Sequence, residues 1–149
     1  MNPYKLLGLL LFVLCVGNAN TCFAQEDPPP VASTTNENRS LVDTLIKITR
    51  YEKYFREMCV GAVEGAAERQ RWTFEKTMKI RSSIRFEYFS ETIYNMFSAH
   101  TTAELLALIK KYKADAYCFR SNVIRDNWMV DKNLNSFMDA LIEGKYVMP

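Results

Sequence analysis

Glu87 and Glu91 stand four residues apart, and on a helix that spacing puts both carboxylates on one face. Such a pair can run acid–base hydrolysis when burial splits the two pKa values. Next to Arg81 and Arg85 on an amphipathic helix, the same pair reads more simply as a solvated charged face. His100 is the single histidine. It has no cysteine or second histidine at ligand spacing, so a zinc site is not expected. A catalytic role for it needs an orienting carboxylate that the sequence does not supply. Gly-rich phosphate loops, His-Glu-x-x-His and Gly-x-Ser-x-Gly are missing. The expectation is a protein that is not an enzyme and uses no cofactor or metal.

The thiols need the N-terminus to be interpreted. Lys5 is followed by the apolar run Leu6–Gly17 and then by small and polar residues ending Cys22-Phe23-Ala24. That order matches a secretory signal peptide over residues 1–24, with cleavage after Ala19 as a weaker option. The run is short of the about 20 residues of a membrane span, which leaves a retained anchor as the lesser alternative. Cleavage takes Cys15 and Cys22 with it and lowers the formal charge from +2 to +1, since Lys5 is the only charge removed. An even pair, Cys59 and Cys118, remains, and in an exported chain it reads as one disulfide. Two free buried thiols are the alternative. No CxxC spacing supports a redox role. Export places the protein in the periplasm or outside the cell.

Binding chemistry is concentrated between Glu68 and Arg85. Arg69, Arg71, Lys76, Lys79, Arg81 and Arg85 outnumber Glu68 and Glu75, with Trp72, Phe74, Met78 and Ile80 interleaved. Cations with aromatics suit an anionic partner, and Arg69, Arg71, Lys76 and Lys79 are the candidate contacts. The plainer reading is a solvated face whose aromatics belong to the core. Near-neutral net charge and no nucleic-acid motif point to another protein as partner, not a nucleic acid, with peripheral contact to membrane or envelope as a further option.

The elements that must hold these residues are helical. Residues 25–39 carry Pro28-Pro29-Pro30 and few apolar side chains, and read as a disordered Pro-rich linker. Asn38-Arg39-Ser40 is a glycosylation sequon of little weight. Residues 40–149 read as one helical domain. Ser40 caps a short helix with Leu41, Leu45 and Ile48 inward. A joint near Arg50 leads to a helix over 51–70, with Tyr51, Tyr54, Phe55, Met58, Cys59, Ala62 and Ala66 as its stripe. Gly61 and Gly65 on it would admit a close-packed neighbour or merely add flexibility. A short helix in the basic stretch and another over 81–97 follow. Thr101 and Glu104 form a capping box that starts an organising helix. Its inward face is Leu105, Leu108, Ile109 and Tyr112, with Lys110 and Lys111 outside. The pattern runs on through Ala116 and Phe119. A last helix over 132–143 carries Leu134, Phe137, Met138, Leu141 and Ile142, capped by Asp131 and stopped by Gly144. No segment alternates as a strand, so the expected fold is all-α, a bundle of about five to six amphipathic helices.

Phe97, Thr101, Glu104, Leu105, Ile109 and Tyr112, with the opening Leu41–Met58, resemble the DUF2059 family of exported bacterial helical proteins of unknown function. The resemblance spans about residues 40–142. After Tyr112 the chain departs from that family's Ser-Pro and Gly, reading Lys113-Ala114-Asp115-Ala116. The resemblance implies an exported helical domain and supplies no catalytic residues. The expected function is therefore a non-enzymatic binding protein of the periplasm or envelope, for instance an immunity protein occupying a secreted toxin. The alternatives are an envelope-polymer hydrolase using Glu87 or Glu91, and a secreted effector.

Overall fold

The computed structural model describes residues 36–147. The expected signal peptide, residues 1–24, and residues 25–35 of the expected linker lie outside the described residues. Among those described, every regular element is helical: α1 (Asn36–Ile48), α2 (Tyr51–Gln70), α3 (Phe74–Ser82), a 3-10 turn (Phe86–Tyr88), α4 (Ser90–Met96), α5 (Thr102–Ala114) and α6 (Trp128–Ile142). The fold is all-α, and none of these helices is long and apolar enough to cross a membrane.

Local chemistry sets the boundaries. α1 begins four residues before Ser40, inside the stretch read as linker. What extends it is tertiary. The Asn38 side-chain N–H donates to the His100 carbonyl (3.1 Å), and its Oδ1 accepts from the Thr102 hydroxyl (2.9 Å). The same amide nitrogen is the one a glycan would occupy, and Asn38 is buried, so the sequon is not usable in this fold. Asp43, farther along α1, accepts a 2.5 Å hydrogen bond from the Tyr94 hydroxyl.

α1 stops where Thr49 turns its hydroxyl back onto the Leu45 carbonyl (2.7 Å) and Arg50 takes left-handed backbone (φ 53°). That conformation costs a non-glycine residue roughly 1–2 kcal/mol. Arg71 does the same at the end of α2 (φ 51°), closing a Schellman motif through Trp72 N–H to Ala67 and Arg71 N–H to Glu68. Gly144 (φ 80°) ends α6 with the same bonding and no steric cost.

The helix expected over 81–97 is two pieces. Ser82 and Ser83 each donate a side-chain hydroxyl to the carbonyl three residues back, giving the backbone an alternative to continuing. Tyr88 is consequently exposed, while Ile84, Phe89, Ile93 and Phe97 stay inward. The last helix starts at Trp128 rather than Lys132. The Asn127 side-chain oxygen accepts from the Met129 and Val130 amides and caps it, so Asp131 lies inside the helix.

The capping box at the head of α5 is formed in full, with the Thr101 hydroxyl accepting from the Glu104 amide and the Glu104 carboxylate from the Thr101 amide. Leu105, Ile109 and Tyr112 are buried, Lys110 and Lys111 exposed, and Leu108 only partly covered. α1 lies along α5, and α2 packs instead on α6 and α3. One core joins both pairs. Phe55 of α2 sits at its centre, within 5.3 Å of the rings of Phe86, Phe89 and Phe137. Along α2, Met58 faces out and Gly61 opens to empty space, so no neighbouring helix exploits that glycine. α5 ends at Ala114, leaving Ala116 exposed and Phe119 half-buried in an ordered loop. Tyr112 accepts there from the Val123 amide, and Asn122 bonds the Cys118 carbonyl and the amides of Ile124 and Arg125.

Candidate functional site

The expected Cys59–Cys118 disulfide is not present; both are free, buried thiols. Cys118 sits on the loop after α5 with its sulfur 3.7 Å from the Ile48 carbonyl, at the end of α1. Cys59 lies eight residues into α2 from Tyr51, about 12 Å along the axis at the usual helical rise. A disulfide needs Cα atoms within about 7 Å. Burial pushes the Cys59 thiol up to about 12, with Arg56 opposing weakly. It packs as a small apolar side chain and is no nucleophile at neutral pH.

The two glutamates are separated as well. Glu87 stands in the 3-10 turn and Glu91 in α4. Glu91 is held by Arg39 at 2.7 Å, which raises the Arg39 pKa. Glu87 lines an open groove of about 710 Å³ beside the α1–α2 joint, together with Asp43, Glu52, Tyr94 and the cations Lys47, Arg50, Lys53 and Arg56. Tyr94 is pushed up to about 12, first by burial and then by its bond to Asp43, so it stays a donor. His100 stacks edge-on against Phe97 at 5.1 Å, and its Nδ1 is buried without a partner among the described residues. No group of three or more metal-ligating side chains occurs among the described residues.

The basic stretch is where the plainer sequence expectation fails. Its aromatics are not all core. Ile80 is buried and Trp72 partly so, but Phe74 is 80% exposed and Met78 44% exposed. Phe74 and Met78 are four apart, so they share one outer side of α3. α3 starts there because the Thr73 hydroxyl accepts from the Lys76 amide and caps it. The four candidate cations do not share that side: at about 100° per residue, Lys76 lies opposite Phe74 and Met78 on α3 and Lys79 about 120° away. Arg69 and Arg71 close α2, the Lys76 ammonium lies 4.0 Å above the Trp72 ring, and Lys79 faces the C-terminal segment. Lys76 and Lys79 line a shallow depression of about 280 Å³ with Ile142 and Val147. None of the four forms an ion pair among the described residues, whereas Arg81 is held by Glu64 at 3.2 Å.

The sequence missed a second cationic cluster, formed by Arg50, Lys53, Arg120 and Arg125. Its members come from the α1–α2 joint and from the loop after α5, some 70 positions apart, and no local spacing connects them.

The described residues form an all-α fold with exposed cations and aromatics on its surface. Profiles of known families, curated proteins and solved structures give no match to the chain.

Proposed function

We propose that this protein is an exported, non-enzymatic binding protein of the bacterial periplasm or envelope, related to the DUF2059 family, that docks an acidic protein on the outer side of α3. The observation that carries the reading is Phe74, a large apolar side chain left 80% exposed and flanked by Met78 on a domain that otherwise has a well-filled core. An exposed aromatic anchor is what interfaces use, and the unpaired Lys76 and Lys79 on the flanks of α3, with Arg69 and Arg71 at the end of α2, favour a partner with carboxylates. A secreted toxin whose active site is acidic is the specific version, making this chain its immunity protein.

The test is a pull-down from envelope extract, followed by kinetics with the purified partner. Phe74→Ser should raise the off-rate, because a packed anchor is lost. Arg69, Arg71, Lys76 and Lys79 replaced together by Ser should lower the on-rate, and the difference should shrink at high salt. All five side chains are exposed, so unfolding midpoints should hold. Unchanged kinetics in both variants would remove α3 from the interface. Hydrolase activity of the purified protein, abolished by Glu87→Gln, would overturn the non-enzymatic reading.

A further inference from the structure

Beyond the α3 surface and independent of it, the α1–α2 joint and the loop after α5 bring three guanidinium groups and one ammonium around a depression of about 330 Å³. It is lined by Arg50, Lys53, Arg120 and Arg125 with Tyr54, Phe119 and Glu57. Four cations face one carboxylate, and that carboxylate is already 3.8 Å from Lys53. Arg50, Arg120 and Arg125 form no ion pair among the described residues.

The guanidinium groups are positioned rather than trailing in solvent. Arg125 is half-buried, its plane 3.8 Å from the Tyr54 ring centre, and one of its nitrogens donates to the Phe119 and Arg120 carbonyls. Arg50 and Arg120 both lie over the Phe119 ring, at 5.6 and 5.7 Å from its centre. Two like charges gathered at one ring repel each other, and Arg50 holds its place on left-handed backbone. Partly burying a cation without a counter-charge is unfavourable. An anion seated among the three would offset both terms.

The donor set also selects the anion. A carboxylate offers two oxygens and one charge. Three planar forks offer more parallel N–H pairs than two oxygens accept, and a phosphate group with three free oxygens and a charge of about −1.5 to −2 matches them better. We propose that this pocket binds the phosphate group of a phosphate ester, through Arg50, Arg120 and Arg125, with Lys53 adding long-range attraction. The ester is a monoester, either a soluble phosphorylated molecule or a phospholipid headgroup that ends in phosphate.

The folded chain is titrated in phosphate-free buffer with inorganic phosphate in one arm, and with phosphatidic acid vesicles against neutral phosphatidylcholine vesicles in the other. Saturable binding in the phosphate arm assigns a soluble ester. Binding confined to the anionic vesicles assigns a headgroup. In either case Arg120→Gln should weaken binding about tenfold or more, as loss of one charge-assisted contact does. Arg50→Gly, which removes a guanidinium and relieves the left-handed backbone, should weaken it as much while keeping the fold. Lys76→Ser with Lys79→Ser should leave it unchanged, which separates this site from the α3 surface. No saturable binding in either arm overturns the proposal, as does wild-type affinity in both Arg120→Gln and Arg50→Gly.

Discussion

Leu105 and Leu106 are the same residue at successive positions of α5, and the fold treats them oppositely: Leu105 is fully buried and Leu106 is 50% exposed. Leu→Ala at each changes helix propensity equally, so the difference between the variants isolates tertiary burial. At Leu105 the loss comprises the transfer free energy of the removed methyl groups and the cavity left between α5 and the helices on it. For a site fully closed by its neighbours this amounts to about 3–4 kcal/mol. At Leu106 it should stay within about 0.5 kcal/mol. Leu108→Ala should fall between them, because Leu108 sits at the edge of the α1–α5 contact and is only partly covered. The 2–5 kcal/mol expected of a full core leucine therefore belongs to Leu105 and not to Leu108. Urea unfolding followed by far-UV circular dichroism reads these differences as midpoint shifts at constant slope. Thermal melts should show Leu105→Ala lower by about 12–16 °C, taking about 4 °C per kcal/mol for a domain near this size. Equal shifts at Leu105 and Leu106 would refute the placement of α5, since rotating that helix by about half a residue, roughly 50°, is what would equalise them.

Two further outcomes follow from the site chemistry. Cys59 and Cys118 should both resist alkylation at pH 8 in the native protein and both react once it is unfolded without reductant; mass spectrometry that recovers a linked Cys59–Cys118 peptide would restore the disulfide. Glu104 is held below its ordinary value of 4.5, mainly by the Thr101 backbone hydrogen bond and then by the Thr101 hydroxyl. Its contribution is present above about pH 4.5 and is lost as pH falls through the lower folded value. Glu104→Gln keeps an acceptor at the cap without a titrating group, so its stability should fall less steeply on the acid side than wild type. Identical acid slopes would remove Glu104 from the linkage.

What the sequence determined by itself is local. The Thr101–Glu104 capping box, the break at Arg50, the span of α2 and the stop at Gly144 depend on residues within a turn of each other, and all four are formed as read. So are most inward stripes, because a 3.6-residue period survives whatever the helix packs on. Tertiary contacts decided the rest. α1 reaches back to Asn36 because Asn38 finds His100 and Thr102, more than 60 positions away. The thiols stay apart because the loop after α5 lies against the end of α1, while Cys59 points into the core farther along α2. Phe74 reads as core by type, yet it is exposed, because nothing among the described residues packs over the first turn of α3. Arg50, Arg120 and Arg125 meet only after the chain has crossed the whole bundle. Periodicity fixes which way a side chain points from its own helix axis. Only the packed structure fixes what, if anything, stands opposite.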